Sequence, residues 1–567
     1  MQASPLAADA VAGVTDPVLR AIVADHWEYL MRWIPTWATT LGDHRYDDRL
    51  ARRDAAAIAE ADAEHDALLA RSCALDPTHL DDTDAVTYKL LRARLEAEHG
   101  LARCKFHEWV IDSSGGSVLG ELSYLVESHT VTGEGDARNL VARMRQGAQI
   151  VDDTRDNLAR GLADGRVSSV EKVLRVVQQL DTELAKPAAE WAMATPKWAA
   201  TYPALHAELV ETVSSQIAPA ISRLRDFLRR ELIKQARQDN EGLCALPDGD
   251  TCYRASILAH VGLALEPRAL HELGLSEIAR TDRELATLGA RALGTRDLAE
   301  TIAHLRSDRA LYFATREELL GAAQNALDRA KAAIPRFFSV LPKVDCVMRE
   351  IPDYEAPYST IAYYRQPHYD GTKPGEYFIN TLDPPSWPRF ELEALTWHES
   401  IPGHHLQIAL AQELGALPAF RKLDGSTAFV EGWALYTEWL AEEMGLYSSD
   451  LDRLGRVSYD AWRASRLVVD TGIHALGWTR AQAEAFMREH TALTPTNIAN
   501  EVDRYIGWPG QALAYKVGQL EIARLRAHAE RELGTRFDLK AFHAVVLGAG
   551  AVTLPVLADR VNAWISR

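Results

Sequence analysis

Two histidines and a glutamate that can do chemistry together lie in "WHESIPGHHLQ" (397–407), and a second glutamate follows in "FVEGWALYTEW" (429–439). His398 and Glu399 begin like the His-Glu-x-x-His helix of zinc hydrolases. In that helix, imidazoles one turn apart reach an ion at about 2.1 Å, and the glutamate beside the first polarises the metal-bound water. Here Pro402 stands where the second histidine should fall, and His404 and His405 follow it. Proline removes a helical hydrogen bond and glycine tolerates unusual backbone angles, so Pro402-Gly403 predicts a bulge or break. Such a distortion can return His404 to the face of His398. On an undistorted helix His405 regains that face, but about 10.5 Å farther along the axis. His404 is therefore the preferred second ligand, with His405 packing or hydrogen-bonding beside the site. Glu431 supplies a third ligand and leaves a fourth position for water. Its neighbours Phe429, Val430, Trp433 and Ala434 make an unpaired carboxylate costly there. The competing reading is a set of scattered core histidines and a surface glutamate.

These residues need rigid elements. Apolar residues recur at three and four spacing over most of the 567-residue chain, as in "VLRAIVADHWEYLMRWIPTWATTL" and "AISRLRDFLRRELIKQAR", so the fold class is mainly α. Ser168 with Glu171 and Thr315 with Glu318 read as capping boxes. The exception lies within 345–381, where "DCVMREIPDY", "TIAYYRQP" and "GEYFINT" alternate β-branched and aromatic residues and predict a small β-sheet just before the motif helix. The Gly/Asp/Pro-rich segment 240–250 divides an N-terminal helical lobe, 1–240, from a catalytic lobe, 241–567. A formal charge of -18 excludes the basic footprint of a nucleic-acid or anionic-membrane binder. No apolar run approaches the roughly 18 residues of a spanning helix. The N-terminus lacks the pattern of a signal peptide, which leaves a cytoplasmic chain, or an exported one whose leader has been removed. Cys244 and Cys252 flank a Pro-Asp-Gly-Asp turn that can bring them together as a disulfide, which would imply an oxidising compartment; otherwise they are two small apolar residues.

With "HESIPGHHLQ", "FVEGWALYTEW", "KPGEYFINT" and "WPGQALAYKVGQLEI" in this order, the chain resembles the bacterial family called domain of unknown function 885 over nearly its whole length. That family is similar to helical zinc peptidases of the thimet oligopeptidase and M32 carboxypeptidase type. The resemblance implies two helical lobes around a deep cleft, one zinc ion on His398, His404 and Glu431, and Glu399 as general base. Tyr515 corresponds in position to the late-helix residue that steadies the oxyanion; a buried structural tyrosine is the alternative.

Three further groups are candidates. Arg466, Asp470 and His474 are i+4 neighbours on an otherwise apolar helix; Asp470 can orient His474 as a catalytic imidazole, or the three form a structural ion-pair network. Arg504 and Lys516 can bind a substrate carboxylate, which would favour carboxypeptidase or dipeptidase action; the alternative is a structural role for both. "KPGEYFINT" is placed as an edge strand along the cleft, with Tyr377 and Asn380 facing an extended peptide. The expectation is a zinc metallopeptidase acting on short peptides. Its competitors are a zinc amidohydrolase acting on a non-peptide or peptide-like metabolite, and a non-catalytic binding protein with a structural metal. A homodimer is compatible with the sequence.

Overall fold

A computed structural model describes residues 6–112, 117–352, 356, 360–367 and 373–567. The chain is mainly α-helical and divides into two compact units, Met1–Cys252 and Tyr253–Arg567. In the first unit, helices such as Glu134–Met144, Gly147–Ala163 and Ala218–Arg230 bury Val141, Met144, Leu158, Ile221 and Leu224 in one core. Helix Val170–Leu184 is capped by Ser169, not Ser168: the Ser169 hydroxyl accepts from the Lys172 amide. Thr315 caps helix Arg316–Ala333, while the Glu318 carboxylate accepts from the Ala314 amide, one residue before the cap, so half of the expected box forms. The disulfide joins Cys104 to Cys252, with Cα atoms 5.4 Å apart, whereas Cys244 is exposed and lies outside the bridge. The Cys244–Cys252 pairing is therefore corrected. The turn between them does form, but Cys252 is buried on the helical segment beyond it and meets Cys104, which is buried just after helix Asp82–Ala102. Among the described residues no helix is long and apolar enough to cross a membrane.

In the second unit the expected sheet is present as β1 (Cys346–Glu350), β2 (Ala362–Arg365) and β3 (Gly375–Ile379). Its order is β1-β3-β2, with β1 parallel and β2 antiparallel to β3. β3 is thus the central strand, bonded on both sides, and the placement of "KPGEYFINT" as an edge is overturned. Among the described residues the outer strand nearest the motif is β2. Parts of "DCVMREIPDY" and the residues between β2 and β3 lie outside the described residues.

Five helices position the motif residues: α1 (Arg389–Glu399), α2 (His404–Glu413), α3 (Thr427–Glu443), α4 (Asp450–Leu476) and α5 (Leu513–Leu533). The expected distortion at Pro402-Gly403 is a complete break: α1 ends at Glu399, the Ile401–Pro402 peptide is cis, and α2 starts at His404. The chain turns so tightly that a Cβ on Gly403 would overlap the carbonyl oxygens of Trp397 and His398. The Gly403 amide donates instead to the Trp397 carbonyl at 2.9 Å. Trp433 of α3 locks the break from the other side, donating from Nε1 to the Pro402 carbonyl at 3.0 Å. α3 and α5 cross at Gly432 and Gly518, where neither position has room for a side chain.

Candidate metal centre

The break places His398 and His404 side by side, with ring centroids 4.8 Å apart and planes at 87°. Glu431, one turn into α3, faces both: its Oε2 is 3.9 Å from His398 Nε2 and 3.6 Å from His404 Nε2. One donor atom from each residue lies within 4.8 Å of the others, so the three can hold a metal ion. Donors at ~2.1 Å from a tetrahedral ion are roughly 3.4 Å apart, and the carboxylate–imidazole separations of 3.9 and 3.6 Å come near that spacing. The side chains grade from 4 % exposed at His398 through 12 % at His404 to 18 % at Glu431, so the cluster opens on one side.

The surroundings suit a cation. His398 Nδ1 donates to Glu438 Oε1 at 2.7 Å, which fixes the tautomer and leaves Nε2 with its lone pair toward Glu431. Burial, and then the neighbouring His404, hold His398 well below its ordinary pKa, and burial lowers His404 too. Both rings are therefore neutral at pH 7, the form that ligates. His404 Nε2 faces Glu431, while His404 Nδ1 is buried with no hydrogen-bond partner among the described residues.

Glu399 stands beside the cluster at the end of α1. Enclosure by protein, and secondarily the charge of Glu431, push its carboxyl up to about 8, against the opposing effects of Arg463 and the Tyr364 backbone N–H. Burial also raises Glu438 and Glu391 to about 7 each, and Arg463 opposes the rise in both. Arg463 lies 3.6 Å from Glu438 and stacks on Tyr459 and Trp462.

Tyr515 of α5 comes to the same place. Its hydroxyl accepts from Arg504 Nη2 at 3.2 Å, the Arg466 guanidinium lies 4.4 Å from its ring centre, and burial followed by the charge of Glu431 raises its pKa. Other expected residues are held elsewhere. Lys516 is buried and its ammonium is bonded to Asp460, Gln519 and Glu277; a buried cation must be paired, and that leaves none of it for a substrate carboxylate. Tyr377 is fully buried, with its hydroxyl 3.3 Å from Thr396 on α1. Asn380 bonds the carbonyls of Ala356 and Thr360 and the Leu382 amide, so it staples loops together. Neither faces an open strand edge. His405 points away from the ligands, bonded through Nδ1 to Tyr364 Oη and through Nε2 to the Val344 carbonyl. His474 is fully buried and bonds the Tyr505 carbonyl at 2.9 Å. Asp470 accepts from the Tyr253 hydroxyl at 2.6 Å and from the Gly510 amide. Sequence reasoning missed Glu438 and Arg463. Glu438 was findable, being two helical turns beyond Glu431 on the same face; Arg463 carried no comparable signal.

The family described as "Bacterial protein of unknown function (DUF885)" matches residues 35–561. The chain belongs to this family. No curated protein matches it. Among solved structures, one described as "the putative lipoprotein from Colwellia psychrerythraea" is similar at 27 % identity and a TM-score of 0.89, covering 97 % of this chain and 99 % of that one. A second, described as "a putative lipoprotein of unknown function from Shewanella oneidensis", shares the fold at 21 % identity and a TM-score of 0.74, covering 96 % and 98 %. Neither description assigns a reaction, so the family carries the fold while the chemistry must be argued from the cluster.

Proposed function

We propose that this protein is a zinc-dependent hydrolase that cuts amide bonds in short peptides. The observation that carries the proposal is the convergence of His398, His404 and Glu431 from three helices on one partly open point, with Glu399 beside it. Two imidazole nitrogens and one carboxylate oxygen make a donor set that zinc favours, and three protein ligands leave a position for reacting species. When bound, the ion would supply Lewis acidity toward water and toward a substrate carbonyl.

The remaining chemistry belongs to side chains. Glu399 takes a proton from water and returns it to the leaving amine, a role that suits a carboxylate of raised proton affinity. Tyr515 donates its hydroxyl hydrogen to the developing oxyanion, and the Arg504 N–H already on the phenol oxygen turns that hydrogen outward. Glu438 holds His398 in its ligating tautomer. A peptide substrate is favoured by β2. Asn380 N bonds Ile361 O, so the alternation of an antiparallel ladder turns the backbone groups of Ala362 and Tyr364 away from β3, and the Tyr364 N–H meets Glu399. An extended peptide laid along that outer edge would pass the cluster.

The test is metal analysis of purified protein alongside mass spectrometry of a peptide digest. Wild type should hold one equivalent of zinc, and His398→Ala close to none. Glu399→Gln should keep the zinc and lose roughly 10²–10⁴-fold in turnover. Equal, near-zero zinc in wild type and His398→Ala would sink the reading, as would full activity in Glu399→Gln.

We also propose an oxidising compartment outside the cytoplasm, supported by the Cys104–Cys252 disulfide and by the lipoprotein descriptions of both similar structures. Thiol trapping in intact cells should find Cys104 and Cys252 blocked; finding both free would overturn it.

A further inference from the structure

Beyond Tyr515, away from the ligands, lies a group of charges that does not balance. Arg466 Nη2 is 2.9 Å from Glu501 Oε2, and Arg504 Nη1 is 3.8 Å from Glu501 Oε1. Among the described residues Glu501 is the carboxylate ion-paired with either arginine, so two guanidiniums share one negative charge. Their other partners are neutral: Tyr505 Oη for Arg466, and Gln511 and Tyr515 Oη for Arg504. Glu431, the nearest further carboxylate to Tyr515, is turned to the imidazoles. Arg466 is almost fully buried, but the Arg504 side chain is 33 % exposed, so the surplus positive charge is presented there.

Next to it stands an aromatic surface. Trp508 caps the helix Pro495–Gly507 that carries Arg504, and the Arg504 guanidinium lies 5.9 Å from its ring centre. Of the 14 tryptophans only Trp439 and Trp508 are exposed, and Trp508 is the more open at 51 %. His260 packs edge-on against it, with centroids 5.8 Å apart, and burial holds that imidazole down to about 4, so it adds an apolar support and no charge.

We propose that Arg504 and Trp508 form a binding site for a free carboxylate joined to an apolar or aromatic side chain, that is, the C-terminal residue of a peptide. A guanidinium reads the carboxylate through paired N–H bonds, and the indole face takes the side chain. The Tyr515 hydroxyl accepts from Arg504, and the charge of Glu431 raises the pKa of the same tyrosine, so one side chain links the carboxylate site to the metal cluster. On the function proposed above, which fixes the orientation of the ligand but not the existence of the site, the protein releases single C-terminal residues or splits dipeptides. Lys516, the other expected carboxylate partner, has no part in this.

The site can be tested without turnover by titrating zinc-loaded Glu399→Gln protein, by calorimetry, with N-acetyl-phenylalanine, N-acetyl-phenylalaninamide and N-acetyl-alanine. The acid should bind roughly tenfold or more tighter than its amide, because the amide leaves the guanidinium without a charged partner. Adding Arg504→Gln should abolish that discrimination, and Arg504→Lys should restore part of it, which a general folding defect would not. Adding Trp508→Ala should abolish the preference for phenylalanine over alanine while keeping acid over amide. Equal binding of acid and amide, no binding of either, or undiminished discrimination in Arg504→Gln each overturns the site. If the acid binds as described but wild type hydrolyses no peptide, the proposed function fails and the site stands. If peptides are cleaved regardless of a free C-terminus, the site fails and the function stands.

Discussion

Gly518→Ala tests whether the α3–α5 crossing sets the position of the metal centre. A Cβ at this position would overlap the carbonyl oxygen of Ala428 and come 2.8 Å from its carbonyl carbon and 2.9 Å from Gly432 Cα. These are backbone atoms of α3, so no side chain can swing aside, and α3 and α5 must part by roughly 1 Å. Alanine's higher helix propensity returns about 1 kcal/mol, while overpacking costs about 1–3 kcal/mol or more. The net loss of stability should therefore be about 0–2 kcal/mol, or more where the backbones cannot part. The larger effect falls on the ligands. Glu431 precedes Gly432 on the displaced helix and Tyr515 precedes Gly518 on the other, whereas a metal site tolerates errors of only about 0.2 Å in its donor distances. Chelator competition should show zinc affinity reduced by roughly tenfold or more, beyond what the modest fall in denaturation midpoint explains. Thermal denaturation with and without a chelator separates the two effects. If Gly518→Ala binds zinc as tightly as wild type at a lower midpoint, the crossing does not set the site, and the reasoning is refuted.

Other outcomes follow from the same geometry. Glu438→Gln keeps the shape but weakens the acceptor at His398 Nδ1, so zinc affinity should fall about 10-fold with little change in fold, read by competition with a chromophoric chelator; unchanged affinity counts against the orienting role. Reducing the Cys104–Cys252 bridge opens a loop of sequence separation 148, for which chain entropy gives about 5 kcal/mol as an upper figure; Cys104→Ser should lower the denaturant midpoint in non-reducing buffer and Cys244→Ser should not. Burial raises the Asp470 carboxyl to about 7, so between its ordinary value and about 7 the folded state holds a proton that the unfolded state releases. Stability should fall as pH rises through that window, by up to about 1.4 kcal/mol per pH unit from this group. Asp470→Asn should flatten the slope in denaturant titrations at pH 5 and pH 7, and an unaltered slope would count against it.

What was legible in the sequence was local and periodic. The helices announced themselves because one apolar face repeats every three to four residues, and the sheet because its β-branched and aromatic residues nearly alternate and are punctuated by Pro and Gly. That His404 and not His405 joins His398 could be reasoned from helix geometry, since a seven-residue step costs too much axial distance. Partners across long separations were not legible. Lys516 looks as available as Arg504 in the sequence, yet only the fold brings Asp460 and Glu277 to its ammonium. Strand order is similarly hidden: nothing in "GEYFINT" distinguishes a central strand from an edge, because that depends on which neighbour arrives from a distant segment. Cys252 illustrates the same point, its partner being fixed by packing and not by the nearby turn.

The break between α1 and α2 carries an electrostatic consequence. An unbroken helix would run its peptide dipoles straight past both histidines, and neither end would lie near the cluster. Because α1 stops at Glu399 and α2 starts at His404, the negative end of one helix dipole and the positive end of another are set beside the cluster. The α1 end favours a cation at His398 and adds to the proton affinity of Glu399, while the α2 start disfavours protonation of His404. The two residues inserted into the motif therefore act as a small fixed field, favouring a cation at one imidazole and keeping the other neutral.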